Sequence, residues 1–294
     1  MGVAVITGSS TGIGQATAVT LARAGHTVYA TMRNPEKSGE EFRAIAKPEG
    51  LDLRLAALDV DSDESVRDGF AAILAEAGRV DVLVNNAGIG QGGAVEETPI
   101  ATFRAAMETN FLGAIRCIQA VVPGMRERRS GWIVNITSVA GRFSAAPQAC
   151  YASSKFALEA LSECLAQEMK TYGVHVAIVE PGVIATPIFG KMEAPPASTV
   201  YPHSRRIAEL FRASLENPVS PYVVGEKIRE IVESGTWQLR HPVGPDAAGL
   251  LAWRASMSDE QWVDWGALTD EQWVSYVREN FKLNVSLSQA NQRS

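Results

Sequence analysis

Met1 is followed by Gly2-Val3-Ala4-Val5-Ile6-Thr7-Gly8-Ser9-Ser10-Thr11-Gly12-Ile13-Gly14, an apolar run that breaks into a glycine-rich loop. Residues 3–7 read as a buried strand, and residues 12–24 carry the apolar spacing of a helix. Glycines let the backbone approach a ligand closely. The helix N-terminus adds free N–H groups and a partial positive charge. Gly8, Ser10, Thr11, Gly12, Ile13 and Gly14 are therefore candidates for holding a diphosphate. The spacing is GxxxGxG, not the GxGxxG of the usual dinucleotide fingerprint. A tight turn with a helix cap would use similar residues, but placement after the first strand points to phosphate.

The same alternation continues outward. Short apolar runs at 27–31, 53–58, 82–85, 132–137 and 174–179 read as buried strands. Helical patterns lie between them at 35–46, 62–77, 99–129 and 151–172. The expected fold is α/β: a doubly wound (Rossmann) sheet of about seven parallel strands with helices on both faces. Ligands of such sheets bind at the carboxyl ends of the strands. A helix at 222–234 and a last strand at 236–240 complete the expected sheet. Residues 1–294 are read as one domain, with 187–221 as a lid insertion containing a helix near 203–215. Residues 246–294 are read as a helical C-terminal extension.

Composition narrows the function. With 46% hydrophobic residues, the 294-residue chain can bury one large core. Its formal net charge of −6, with no basic stripe, argues against nucleic-acid binding. Cys117, Cys150 and Cys164 form no CxxC, and His26, His175, His203 and His241 stand alone, so no metal site is expected. The odd cysteine count suits a reducing compartment. No signal-like or membrane-spanning run is visible, so a cytoplasmic protein is expected.

Tyr151-Ala152-Ser153-Ser154-Lys155 is the sharpest chemical signal. At i and i+4 on a helix, both side chains share a face. The six tyrosines and seven lysines of this chain give only about 0.14 chance matches to that spacing. A phenol titrates near about 10, and a neighbouring ammonium favours the phenolate. Tyr151 could then exchange a proton with a carbonyl or alcohol oxygen.

TGxxxGxG at residue 7 together with YxxxK at residue 151 resembles the single-domain branch of the short-chain dehydrogenase/reductase family over about residues 2–240. The resemblance implies hydride transfer between a nicotinamide and a carbonyl or alcohol, with Asn110, Ser138, Tyr151 and Lys155 as catalytic residues. Ser138, thirteen residues before Tyr151, matches the family's serine, which hydrogen-bonds the reacting oxygen. Lys155 also matches the residue that bonds the nicotinamide ribose, and Asn110 the one that holds a water leading to the lysine. Asn85-Asn86-Ala87-Gly88 resembles the NNAG motif, placing Asn86, Ala87 and Gly88 along the cofactor groove. Asp59 and Val60 resemble the pair that contacts adenine, although Asp59 could equally cap the next helix. Pro181, Gly182, Val183 and Thr186 resemble the segment that binds the nicotinamide amide.

NADP(H) is the favoured cofactor, with NAD(H) possible. Strand two ends in Met32-Arg33, where an NAD enzyme usually carries an acid, and a guanidinium suits a 2′-phosphate. Thr11 departs from the basic residue many NADP-using relatives carry. Phe143, Ala145, Ile184, Ile188 and Phe189 are expected, with Ser138 and Tyr151, to line a site for a small hydrophobic ketone, aldehyde or alcohol. The resemblance is loosely to hydroxysteroid and retinol dehydrogenases, and a homodimer or homotetramer is expected. Two other readings share the scaffold: an epimerase or dehydratase, against which the glycine spacing argues, and a cofactor-sensing protein, which commonly loses the tyrosine or lysine.

The extension contains an echo, Ser258-Asp259-Glu260-Gln261-Trp262-Val263 and Thr269-Asp270-Glu271-Gln272-Trp273-Val274. Each copy has the pattern of a capping box, predicting helices from about 259 and 270. Trp262, Trp265 and Trp273 are too large to leave in water together, so the extension should pack on its own domain, wall the pocket or meet another subunit.

Overall fold

The computed structural model describes residues 1–192, 196 and 198–287. Strands β1 (Val3–Ile6), β2 (Thr27–Met32), β3 (Leu53–Ala57), β4 (Val82–Asn85), β5 (Gly131–Ile136), β6 (Val174–Pro181) and β7 (Arg240–Val243) form one sheet. Its order is β3-β2-β1-β4-β5-β6-β7, and every pairing is parallel. Order reverses between the paired strands β1 and β4, and a crevice opens at their carboxyl ends where the following connections run in opposite directions.

Helices α1 (Gly12–Arg23), α2 (Pro35–Ser38), α3 (Glu40–Glu49), α4 (Asp63–Ala77), α5 (Ile100–Met107), α6 (Gly113–Arg128), α7 (Ala149–Lys170), α8 (His203–Ser214) and α9 (Tyr222–Glu233) connect the strands. Each sheet face has its own core. Val19 and Leu21 of α1 and Val224 and Ile228 of α9 cover one face, with Phe42 of α3. Phe70 of α4, Val121 and Met125 of α6, and Leu165 and Met169 of α7 cover the other. This is the expected doubly wound arrangement.

Three elements differ from expectation. Residues 35–46 do not form one helix, because the chain breaks at Gly39 between α2 and α3. The long helix at 99–129 is interrupted by a π-helical turn, Glu108–Leu112, between α5 and α6. The last strand is Arg240–Val243, not 236–240. Gly235 turns left-handed at φ +67, and the Trp237 indole donates to the Val176 carbonyl at 2.9 Å, so residues 236–239 are a connector. Pro242 can sit in β7 because β7 is the edge strand.

Beyond β7 come α10 (Ala247–Ala255), α11 (Asp259–Gly266) and α12 (Asp270–Phe281). The reading of the sequence had no counterpart for α10. Ser258 and Thr269 each complete a capping box, with Gln261 and Gln272 respectively. No helix among the described residues is long and apolar enough to cross a membrane.

Candidate active site

The glycine loop is shaped by close approach. Gly8 has φ +66, and a Cβ there would lie 2.7 Å from the Ala87 backbone. A Cβ on Gly14 would lie 2.4 Å from the Asn86 amide nitrogen. That nitrogen donates to the carbonyls of Thr7 and Gly8 at 2.9 and 3.1 Å. The Thr7 hydroxyl accepts the amides of Asn86 and Ala87, each at 3.0 Å. Asn86 and Ala87 thus brace the loop from below. Ser9 is buried and donates to Ile6 at 2.8 Å, whereas Ser10 and Thr11 face outward. Thr11 stands at the N-cap of α1 without a side-chain cap bond, so the first amides of α1 are open to an anion. Across the crevice Thr186 approaches Gly12; a Cβ there would meet it at 3.2 Å. These features fit a dinucleotide diphosphate.

Ser138 stands two residues beyond the end of β5, and Tyr151 and Lys155 lie in the first two turns of α7. The Ser138 hydroxyl accepts the Ala140 amide at 3.1 Å and lies 3.5 Å from the Pro181 carbonyl. Lys155 is buried and donates Nζ to the Ile136 carbonyl at 2.8 Å, with Nζ 5.7 Å from the centre of the Tyr151 ring. Burial pushes the Lys155 ammonium down to about 8, opposed by Glu159. Burial pushes the Tyr151 phenol up, opposed by its hydrogen bond with Ser138.

Asn110 sits inside the π-helical turn, where one extra residue re-aims its side chain. Its Oδ1 accepts the Ile89 amide at 2.8 Å, and its Nδ2 donates to the Ile89 carbonyl and the Ser154 hydroxyl at 3.0 and 2.9 Å. A Cβ on Gly88 would lie 3.2 Å from Asn110 Oδ1 and 3.6 Å from Lys155 Nζ, so Gly88, Asn110 and Lys155 meet at one point. The structure brings together all four residues expected to be catalytic.

The segment after β6 differs in detail from expectation. The Gly182 amide is taken by Val243 at 2.9 Å, and that of Val183 by Asp246 at 2.8 Å. The Ile184 amide has no intramolecular partner among the described residues, while the Ile184 side chain is buried in the core. Ile184 therefore offers this site a backbone donor and not an apolar wall. Asp246, at the start of α10, was not singled out from sequence.

Arg33 is exposed and forms no ion pair among the described residues. Val60 is buried, in contact range of Gly113 on α6. Asp59 does not cap α4: Ser62 does, accepting the Ser65 amide at 3.2 Å, while Asp59 accepts the Asp61 amide at 3.2 Å.

The expected substrate residues fall in two groups. Phe143 meets Trp253 and Trp262 edge-on at 6.3 and 5.7 Å, and Trp262 donates to the Ser144 carbonyl at 3.2 Å. Ala145 lines a small void with Trp265 and Trp273 of the extension and Arg206 of α8. Phe189 packs on Phe211 of α8 with ring centres 4.8 Å apart and planes tilted by 57°, and Ile188 abuts Gly90. The extension joins the groups: Trp273 and Val277 pack on Ala213 of α8, and Asp270 pairs with Arg205 and buried Arg206. The expected lid also includes residues 193–195 and 197, which lie outside the described residues, as do residues 288–294 of the extension.

Fold and site define a nicotinamide-dependent oxidoreductase working on a carbonyl–alcohol pair. The sequence profile of short chain dehydrogenases matches residues 2–197, and the chain belongs to that family. It is 36% identical over 248 residues to a 3-ketodihydrosphingosine reductase of Bacteroides thetaiotaomicron, covering 82% of this chain and 87% of that protein. It is 41% identical over 236 residues to human retinol dehydrogenase 8, covering 78% and 75%. The solved structure of an F189W actinorhodin polyketide ketoreductase with NADPH superposes with a TM-score of 0.72 at 27% identity, covering 83% of this chain and 96% of that one.

Proposed function

We propose that this protein is an NADP-preferring reductase or dehydrogenase for a hydrophobic ketone or alcohol, with Tyr151 as its proton donor and acceptor. The observation that carries the reading is the convergence of Ser138, Tyr151, Lys155 and Asn110 at the end of β5, beside the open N-terminus of α1. A bound reduced nicotinamide supplies the hydride. Ser138 and Tyr151 hold the carbonyl oxygen by hydrogen bonds, and Tyr151 gives its phenolic proton as negative charge develops there. In the reverse direction Tyr151 takes the alcohol proton, and the Lys155 ammonium steadies the phenolate. Gly8, Gly12 and Gly14 would admit the diphosphate, Ile184 and Thr186 would orient the nicotinamide, and Arg33 would face a 2′-phosphate.

A hydrophobic substrate is supported by Phe143 and its tryptophan neighbours beside the catalytic serine's loop. The names of the reductase and retinol dehydrogenase to which the chain is similar point the same way. Residues 187–221 would close over that substrate, carried by α8.

The test is oxidation of NADPH and NADH by the purified protein with long-chain ketones, polycyclic ketones, retinoids and small ketoesters. Turnover with the first three and not the last is expected, faster with NADPH. Turnover confined to small polar ketones would refute the substrate class, and faster turnover with NADH would refute the cofactor preference.

A further inference from the structure

Beside Lys155 lies a buried charge cluster that hydride transfer leaves unused. Glu159 stands one turn beyond Lys155 on α7 and is only 4% exposed; Glu180, directly before Pro181, is 1% exposed. Thr137 donates its hydroxyl to Glu159 Oε1 at 2.6 Å. Arg240 on β7 donates to Glu159 Oε2 at 3.1 Å and lies 3.5 Å from Glu180 Oε1. Arg142 pairs with Glu180 at 3.0 Å from the other side.

Stability alone is a poor reason for this cluster. Buried ion pairs are often no better than apolar side chains of the same volume, because desolvation offsets the attraction. Its position is informative instead. Thr137 sits between Ile136, whose carbonyl accepts the Lys155 ammonium, and Ser138. The carboxylate is therefore tied to the catalytic group through both α7 and β5.

The charged and titratable surroundings are few. Lys155 faces Tyr151 on its own helix, the Ile136 carbonyl from β5, and Asn110 from the π-helical turn, with Glu159 one turn further along α7. Glu159 lies one turn from Lys155 on α7, outside ion-pair distance, and faces Thr137, Glu180 on β6 and Arg240 on β7; burial and Glu180 push its carboxyl up, and Thr137 and Arg240 oppose this. Beyond these lie Glu163, Arg142 and His241, the first two bonded to Arg240 and Glu180 respectively. Arg240 is the one cation within ion-pair distance of Glu159 among the described residues.

We propose that Glu159 is a positioning residue for Lys155: its carboxylate, clamped by Thr137 and Arg240, is the counter-charge that keeps the buried ammonium protonated while Tyr151 works. The inference rests on the reading of Lys155 as the ammonium that serves Tyr151 and the nicotinamide ribose. Burial pushes the Lys155 ammonium down and Glu159 opposes that push, as a counter-charge should.

The experiment measures the affinity of the full-length protein for reduced NADP, by nicotinamide fluorescence, from about pH 6 to about pH 10. The wild type should lose affinity as Lys155 loses its proton, near pH 8, and Lys155→Ala should lack that step. Glu159→Gln keeps an oxygen for Thr137 but removes the charge, and should move the step down by about one pH unit. Thr137→Val removes a hydrogen bond that holds the carboxylate ionised and should move the step down by a smaller amount. A merely structural role would weaken both variants without moving the step. A step that stays in place in Glu159→Gln overturns the proposal. Should that variant fail to fold, Thr137→Val decides, a downward move supporting the proposal and an unmoved step overturning it. A wild type without the step, or one whose step persists in Lys155→Ala, removes the assigned role of Lys155, and the inference with it.

Discussion

Between Gly8 and Gly14, backbone meets backbone and short polar side chains at hydrogen-bond distance. Between Trp253 and Phe281, large rings meet edge to face or, at Trp262 and Trp265, stack, and arginines reach across to aspartate. The first region admits almost no alternative residue, because an added methyl group collides with Asn86 or Ala87. The second could be built from many apolar combinations of similar volume. A sequence therefore announces the chemistry of the first region and only the burial of the second.

The largest expected effect falls in the constrained region. Tyr151→Phe should lower turnover by about 10²–10⁴-fold while leaving reduced-cofactor affinity nearly unchanged, since only the transferable proton is lost. Rates followed by nicotinamide absorbance, with affinity by fluorescence, check this; a variant keeping more than about a tenth of the rate would remove Tyr151 as the acid.

Gly14→Ala sharpens the contrast. The added methyl would sit 2.4 Å from Asn86 Nδ2 and 2.6 Å from the Gly8 carbonyl. A loss of about 2–4 kcal/mol in stability is expected, with weaker cofactor binding. Denaturant titration and cofactor titration read the two effects, and an unchanged midpoint would show the loop to be adjustable after all.

In the tail, Asp270→Ala should leave Arg206 without its partner while the guanidinium stays nearly buried. The expected cost is about 1–3 kcal/mol, with protease sensitivity rising in α8 before the sheet unfolds. Cleavage mapped to the sheet connections first would mean that the tail and α8 do not open as a unit.

Arg33→Asp should act on cofactor choice alone. It deletes the candidate phosphate partner and adds repulsion at an exposed position. The ratio of kcat/KM for NADPH over NADH should fall by about tenfold, or about 1.4 kcal/mol, with melting temperature unchanged. A constant ratio would place phosphate recognition elsewhere.

The contrast also explains what could be read beforehand. The glycine loop and the Tyr151–Lys155 pair were legible because a close approach and a shared helix face each demand particular residues at particular spacing. Glu159 has the same spacing, at i+4 from Lys155, but a glutamate one turn from a lysine is common on any helix and marks no site by itself. Arg240 carried none, because 85 residues separate it from Lys155 in sequence and only sheet order brings it near. The π-helical turn at Asn110 was invisible to a periodicity of 3.6, which reads through one inserted residue. β7 was misplaced because Thr236 and Trp237 have strand propensity, but Gly235 and the indole bond to Val176 fix them as a connector. The two capping boxes in the extension were legible, being local; what their helices would touch was not.

The packing of α12 on α8 also sets an order of events at synthesis. Leu210 and Ala213 leave the ribosome some 60 residues before Trp273, their cover. At about 5–20 residues per second, α8 spends roughly 3–12 s with its apolar face in water. The doubly wound core through β7 can form during that interval, whereas the cluster between α8 and α12 must wait for the last helix to emerge. Nascent chains halted before Trp273 are thus expected to carry a protease-resistant sheet and a cleavable α8, and a message truncated there would yield a protein whose α8 is never covered.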